Sequence, residues 1–471
     1  MTLIMSLQAI FLAPLLITAI GSKLYGTWLI IFDFFVAMQL FDFGISSYCA
    51  QRIAEENAKA CKEKCSSYFY ALVFILVIVA SFLSFSSLIV YEIEIPGGFS
   101  DSEIHLIRNC IVIGFASVSL NLIGFAFIAP LRALERMREI NFFNCLGALS
   151  SITISMAGVF LGYGLIAVAV AGLVRSIFSF LGGLLSVFKN RDILLMSELN
   201  FQQVFIHVKI LIKNAPVTSI GNFATVSLSS FDNLLLAKFV NVESVTIYSV
   251  SKKLYDLVRT VLDIYGYSSF GGLATSISKN GGQVFSLTVK NNMIFFMRSS
   301  FLCFYSSFLF LDVFVGIWVG REMYIGNFIA GFMAVSMFFA GISNYLNLIQ
   351  KTAGHFSSAT KVVVIEFIIK IIAMSLFVSW LGNVGMPISI FLAALVNIVV
   401  AIASLDIKFR EITTWFPKSD IYLFFISIFI ISLLILLNIN HYILLGLKVI
   451  IFIVFLLAMY RSTRAYLKSN D

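Results

Sequence analysis

The sequence predicts an all-α polytopic membrane protein, and three observations carry that prediction. Of the 471 residues, 60% are hydrophobic and only 12% charged, and the mean hydropathy is +0.99. No soluble domain hides that much apolar surface. The apolar residues fall in continuous runs rather than alternating ones, which excludes a β-barrel. The lysines and arginines gather in alternate connections between the runs, as the positive-inside rule requires of a chain crossing a bilayer many times.

In chain order the runs fall at 3–20, 24–46, 67–91, 106–131, 143–162, 164–187, 215–240, 243–268, 299–319, 324–350, 358–380, 384–405, 421–438 and 442–460. That is about fourteen spans by the length a bilayer demands. Met1–Ile20 has neither a basic leading stretch nor a small-residue cleavage site, so it is expected to stay as a span. The basic connections carry Arg52, Lys59, Lys62 and Lys64; then Arg132, Arg136 and Arg138; then Lys189, Arg191, Lys209 and Lys213. The same side continues through Lys279, Lys290, Lys351, Lys361, Lys408, Arg410 and Lys418 to the tail residues Arg461, Arg464 and Lys468. The opposite connections are short (162–164, 241–244, 382–385) or acidic (92–103). Both termini are therefore expected in the cytoplasm. The net charge of +8 reflects these loops and does not point to nucleic acid.

An internal repeat divides the chain. Tyr25 and Asp33 recur as Tyr248 and Asp256, and FGISSY at 43–48 recurs as YGYSSF at 265–270. Both copies lie in the second span of a pair joined by a short outer turn, so the duplication is parallel, about an axis along the membrane normal. The expected organisation is two pseudo-symmetric six-helix lobes, 1–187 and 215–405. A cytoplasmic amphipathic linker at 188–214 joins them, and 406–471 holds two extra spans and a basic tail.

Charge at membrane depth is the functional signal. Lys252, Asp256, Arg259 and Asp263 stand at i, i+4, i+7 and i+11 within Tyr248–Gly266, so they form one helical stripe with Lys253 beside it. A charge facing lipid near the bilayer centre costs at least ~2.5–3.5 kcal/mol, so the stripe must face protein or water. Two readings follow, ion pairs buried between helices or the wall of a hydrated transport cavity. Arg175 lies mid-span among small residues and is expected to face that cavity. Arg298 faces it too or else snorkels, whereas Arg108 and Lys448, near span ends, are expected to snorkel. Glu366 and Lys370 stand at i,i+4 in the favourable order for an intrahelical pair. Asp33, Asp42, Asp232 and Asp263 are the carboxylates at which a proton or sodium ion would couple, although Asp232 would equally serve as a partner for Lys252 or Lys253.

Central cations (Arg175, Lys252, Lys253, Arg259, Arg298, Lys370) slightly outnumber central acids (Asp33, Asp232, Asp256, Asp263, Glu366). A cationic excess suits a ligand with a phosphate head, because Lys and Arg clamp phosphate oxygens by charge-assisted hydrogen bonds. A cation exporter would show the reverse excess. Tyr248, Tyr255, Tyr265 and Tyr267 are either a lining for sugars or plain packing. No catalytic motif and no phosphate-cradling loop is present, and six scattered cysteines make neither a disulfide framework nor a metal site. No cofactor is expected. A membrane-embedded glycosyltransferase or polymerase would need larger outer loops.

The stretch from Gly21 to Lys59 resembles the first hairpin of the Wzx-type polysaccharide flippases of the multidrug/oligosaccharidyl-lipid/polysaccharide superfamily. The matching residues are Gly21, Tyr25, Gly26, Trp28, Asp42, Gly44, Arg52 and Ala54, and 231–254 and 317–323 agree as well. The resemblance implies alternating access between two six-helix lobes. It implies an undecaprenyl-pyrophosphate-linked sugar unit, for O-antigen or capsule, moved from the cytoplasmic to the periplasmic leaflet of the bacterial inner membrane. It implies as partners membrane lipid, a coupling proton or sodium ion and a polysaccharide polymerase complex. On this reading Arg259, Lys252 and Arg175 hold the pyrophosphate, with Lys253, Asp256, Arg298 and Lys370 completing the substrate site. The span before Gly21 is shorter than in many relatives, so the start is expected to be truncated. The span count also fits lipid II flippases, and an ion-coupled multidrug exporter is the remaining alternative.

Overall fold

The computed structural model describes residues 2–92, 98–189, 201–279, 287–405 and 441–468, with positions 422 and 426. Among these, every regular element is a helix. Eight stretches are long and apolar enough to cross a membrane, and two of them, Ile10–Ala58 and Phe356–Ser404, run to 49 residues and hold more than one helix. The chain is a multi-pass helical membrane protein. The span expected at 421–438, the basic loop at 408–418 and the outer acidic loop at 93–97 lie outside the described residues. The chain divides into two compact units, Met1–Thr246 and Ile247–Asp471.

The first unit begins with α1 (Thr2–Met38), whose helical path is interrupted at Gly21 (φ 81°, ψ 162°). That is the turn expected between the first two spans, and glycine alone takes this backbone without strain. The next expected span, 24–46, stops early. After Met38 a short 3-10 turn leads to Phe43 and Gly44, both left-handed, before α2 (Ile45–Ala58) starts. Asp42 explains the restart, since its carboxylate accepts hydrogen bonds from the Ser46 amide and hydroxyl and so satisfies an orphan donor of the first turn. Then come α3 (Lys62–Glu92), α4 (Asp101–Ala133), α5 (Met137–Phe160) and α6 (Gly164–Lys189). A capping box of Ser100 and Glu103 opens α4.

Residues 201–214, expected as part of a surface linker, open the unbroken helix α7 (Phe201–Ser230). Its Val204, Val208 and Leu211 are buried in a core with Ile53, Leu72 and Ile140, so the amphipathic face covers α2 and α3. His207 packs edge-on against Tyr68 with ring centroids 4.1 Å apart. The span expected at 215–240 is divided at Phe231, where α7 gives way to α8 (Asp232–Phe239).

Glycines set the close approaches. A Cβ on Gly26 would lie 2.7 Å from the Thr246 hydroxyl oxygen and nearer still to the Val242 carbonyl. Thr246 also donates a hydrogen bond of 2.7 Å to the Ser22 carbonyl. The start of α9 (Val242–Lys279) is thereby locked against α1. Replacing Gly26 by Val should cost about 1–3 kcal/mol of overpacking. Thermal unfolding in detergent checks this, with Gly26→Ala expected to be milder.

The second unit holds the rest of α9, α10 (Leu287–Trp318), α11 (Asn327–Thr352), α12 (Phe356–Leu381), α13 (Gly385–Ser404) and α14 (His441–Lys468). The repeat of FGISSY takes another form here. Residues 265–270 lie inside the continuous α9, where Gly266 is helical and faces Tyr345 and Leu348 at 3.4–3.7 Å from a built Cβ. The first copy uses its glycine to turn the chain, and the second uses it to admit a neighbouring helix. Lys448 is another departure. It does not snorkel but pairs with Asp312 at 2.7 Å, with the lysine side chain only 5% exposed. The pair joins α14 to α10 beside a cluster of Tyr305, Leu309 and Phe455.

Candidate functional site

The charged stripe of α9 is half-buried rather than sealed in a core. Tyr248, Ser251 and Tyr255 are fully buried, and Leu262 nearly so. Val261, Ile264 and Tyr267 are exposed on the opposite side. Lys252, Lys253, Asp256, Arg259 and Asp263 occupy the border between these faces. Arg259 and Asp263 approach at 3.8 Å, with side chains 35% and 37% exposed. A pair at that distance and exposure is weakly held, so the guanidinium is free to exchange its partner for an incoming anion.

The tyrosines divide between the two roles the sequence left open. Tyr255 donates to the Ala330 carbonyl at 2.9 Å and lies by Phe304, so it is packing. Tyr248 is buried as well. Tyr265 donates to the Asn292 amide oxygen at 3.0 Å. Tyr267 is open, 72% exposed.

The most developed polar arrangement is buried in the second unit around Glu366. Its carboxylate accepts hydrogen bonds from the Ser343 hydroxyl on α11 at 3.4 Å and from the Asn397 amide on α13. Lys370, one turn along α12, and Arg259 on α9 are close enough to act on its charge. Glu366, Lys370 and Asn397 are all buried. The group continues along α11, where Ser343, Asn347 and Gln350 stand at i, i+4 and i+7, all buried. Gln350 donates to Ser404. Sequence reading found Glu366 and Lys370 but missed Ser343, Asn347, Gln350 and Asn397. Their helical spacing on otherwise apolar helices was the available signal.

Glu366→Gln and Glu366→Leu both remove the negative charge beside Lys370, but only the glutamine amide still accepts from Asn397 and Ser343. Glu366→Leu should therefore be less stable than Glu366→Gln by about 1–3 kcal/mol, the cost of leaving buried donors without an acceptor. Thermal unfolding of the two variants separates these outcomes.

Arg298 on α10 is buried, only 7% exposed. In the first unit, Arg175 is partly buried, and its backbone carbonyl lies opposite Gly147 of α5. Arg108 sits over the Tyr91 ring at 5.2 Å, in keeping with a span end. The aspartates expected to couple ions are placed differently from one another. Asp33 accepts a hydrogen bond of 2.8 Å from Asn233, which brings α1 and the start of α8 together. Asp232, the adjacent residue, is 3% exposed. Asp42 holds the start of α2, and Asp263 faces Arg259. Among the described residues no group of three or more metal-ligating side chains occurs.

A family model described as "Polysaccharide biosynthesis protein" matches residues 1–269. No curated protein sequence matches the chain. Several solved structures share its fold. An inward-facing multidrug resistance MATE family transporter of the MOP superfamily superposes with a TM-score of 0.68 at 12% identity, over 85% of this chain and 94% of that one. The lipid II flippase MurJ, inward closed, gives 0.68 at 15% identity over 97% of each chain. A MOP superfamily transporter from Pyrococcus furiosus, noted for the reversed polarity of its binding pocket, gives 0.54 at 11% identity, over 86% of this chain and 95% of that one.

Proposed function

The chain belongs to the polysaccharide biosynthesis protein family, and from that premise we propose that it is a flippase for lipid-linked oligosaccharide. The observation that carries this reading is the family match over residues 1–269. The substrate proposed is an undecaprenyl-pyrophosphate-linked repeat unit for O-antigen or capsule. It moves from the cytoplasmic to the periplasmic leaflet of a bacterial inner membrane by alternating access of two six-helix lobes, 1–187 and 215–405, with both termini cytoplasmic.

Within the second unit, Arg259 and Lys252 clamp the pyrophosphate, and Lys253, Arg298 and Lys370 supply further positive potential. The weak Arg259–Asp263 contact supports this role, because a guanidinium with a half-exposed partner at 3.8 Å is available to phosphate. Asp256 and Asp263 keep the cations solvated when no substrate is bound. Arg175, in the first unit, is a separate candidate contact. A proton or sodium ion at Asp33, Asp42, Asp232 or Asp263 biases the two access states, provided that it binds one of them better. Of these, Asp33 is supported by its bond to Asn233, which couples its charge state to the contact between α1 and α8. A polysaccharide polymerase complex is the proposed consumer of the flipped unit.

The multidrug transporter with a TM-score of 0.68 favours one rival, an ion-coupled exporter of cationic drugs on the same fold. Reconstituted vesicles separate the two. The purified chain should move a fluorescent undecaprenyl-pyrophosphate oligosaccharide between leaflets and should not drive uptake of cationic dyes under a proton or sodium gradient. Dye uptake without lipid movement would establish the exporter instead.

A further inference from the structure

A cavity of about 580 Å³ opens between the start of α5 and the end of α6, away from every residue assigned to transport above. Its origin lies in how the two helices pack. They meet closely where glycine removes the side chain, at Gly147 against Phe178, Gly158 against Ala167 and Gly182 against Phe143. Beyond Gly182 a recess remains between the helix ends, which the Lys189–Glu139 pair bridges. Its wall is apolar, formed by Phe142 and Leu185, which are 62% and 53% exposed. Its rim is polar, formed by Arg138, Glu139, Ser186 and Lys189. Lys189 pairs with Glu139 at 2.6 Å, whereas Arg138 makes no ion pair among the described residues. Arg132, in the last turn of α4, and Arg136, at the N-cap of α5, precede it in the chain.

We propose that this recess binds the headgroup of an anionic phospholipid of the cytoplasmic leaflet. The walls match such a molecule in order. Phe142 and Leu185 face the acyl region, and one helical turn further out Arg138 and Lys189 stand at the depth of the phosphate. A free phosphate ion would gain nothing from the apolar wall, and an uncharged apolar ligand would leave Arg138 unanswered. The Glu139 carboxylate offsets one positive charge, so the site selects for a single negative charge rather than a polyanion. A zwitterionic headgroup fills the same volume but carries an ammonium group that Arg138 and Lys189 repel.

A tryptophan reporter tests this in the full chain. Phe142→Trp protein is placed in phosphatidylcholine vesicles holding a minor fraction of dibrominated lipid, and the signal of the parent chain is subtracted. Dibrominated phosphatidylglycerol should quench the new tryptophan about fivefold more effectively than dibrominated phosphatidylcholine, the enrichment that one cation near the surface provides. Phe160→Trp, at the far end of α5, should show no such preference. The preference at 142 should vanish in R138Q/K189Q protein and should shrink in high salt. Adding inorganic phosphate to vesicles of phosphatidylcholine alone should not change the signal. Equal quenching by the two lipids at 142, the same preference at 160, a preference that survives the double substitution or high salt, or a response to inorganic phosphate would each overturn the proposal.

Discussion

Arg259→Ala should lower the rate of surface-polysaccharide export by about 10- to 100-fold, the factor carried by one charge-assisted hydrogen bond of ~1.5–3 kcal/mol. The argument runs from placement to chemistry. Arg259 is at the border of the buried and exposed faces of α9, so it is neither locked in a core nor lost to lipid. Its carboxylate partner Asp263 is long at 3.8 Å and half-exposed. Arg259→Lys keeps the charge but not the planar fork that meets two phosphate oxygens, so it should restore only part of the rate. Lys252→Ala should weaken export less, since a lysine contributes one point charge. Export is read as surface polymer in a deletion strain carrying each variant at matched protein level. Full export by both alanine variants would remove the clamp from the account.

Asp312→Ala should destabilise the folded chain by about 3–5 kcal/mol, because it strands a lysine in a nearly dry site. Lys448 is 5% exposed and gives its ammonium to Asp312 at 2.7 Å, with the aromatic cluster of Tyr305 and Phe455 beside it. The double variant Asp312→Leu/Lys448→Met should recover most of the loss, since apolar residues of similar volume replace a buried pair at little cost. Thermal unfolding of the parent, Asp312→Leu, Lys448→Met and the double variant completes the cycle. A double variant as unstable as the sum of the singles would mean that the two residues act separately.

The parts of the fold legible in the sequence were those set by length, hydrophobicity and turn chemistry. The turn at Gly21 was fixed by its place between two apolar runs, and the structure puts a left-handed glycine there. The break at 39–44 was hidden because Met38, Leu40, Phe41 and Phe43 continue the apolar run. Only the carboxylate of Asp42 and the conformational freedom of Gly44 distinguish it. Gly266 carries the same sequence signal with the opposite use, since helix packing rather than backbone freedom decides its role. The sequence reads 188–214 as an amphipathic linker on the membrane surface, but an amphipathic face does not announce whether lipid or a helix covers it. In 201–214 that face is buried with α2 and α3.

The candidate site shows the same limit. A stripe at i, i+4, i+7 and i+11 is visible in one helix, but its place at the border of the buried and exposed faces of α9 is not. The Glu366 group draws on α9, α11, α12 and α13, and the spacing of Ser343, Asn347 and Gln350 on α11 does not reveal Glu366 or Asn397 as its partners. Lys448 was misread for a related reason. Its distance from a span end was known, but its partner Asp312 is 136 residues away in the chain.

The measurement that tests the central claim most directly is the location of lipid-linked oligosaccharide in a strain lacking this protein. Accumulation of the undecaprenyl-linked unit on the cytoplasmic face, with loss of surface polymer and recovery on complementation, is the predicted result. Normal surface polymer together with heightened sensitivity to cationic dyes would contradict the flippase and identify an exporter.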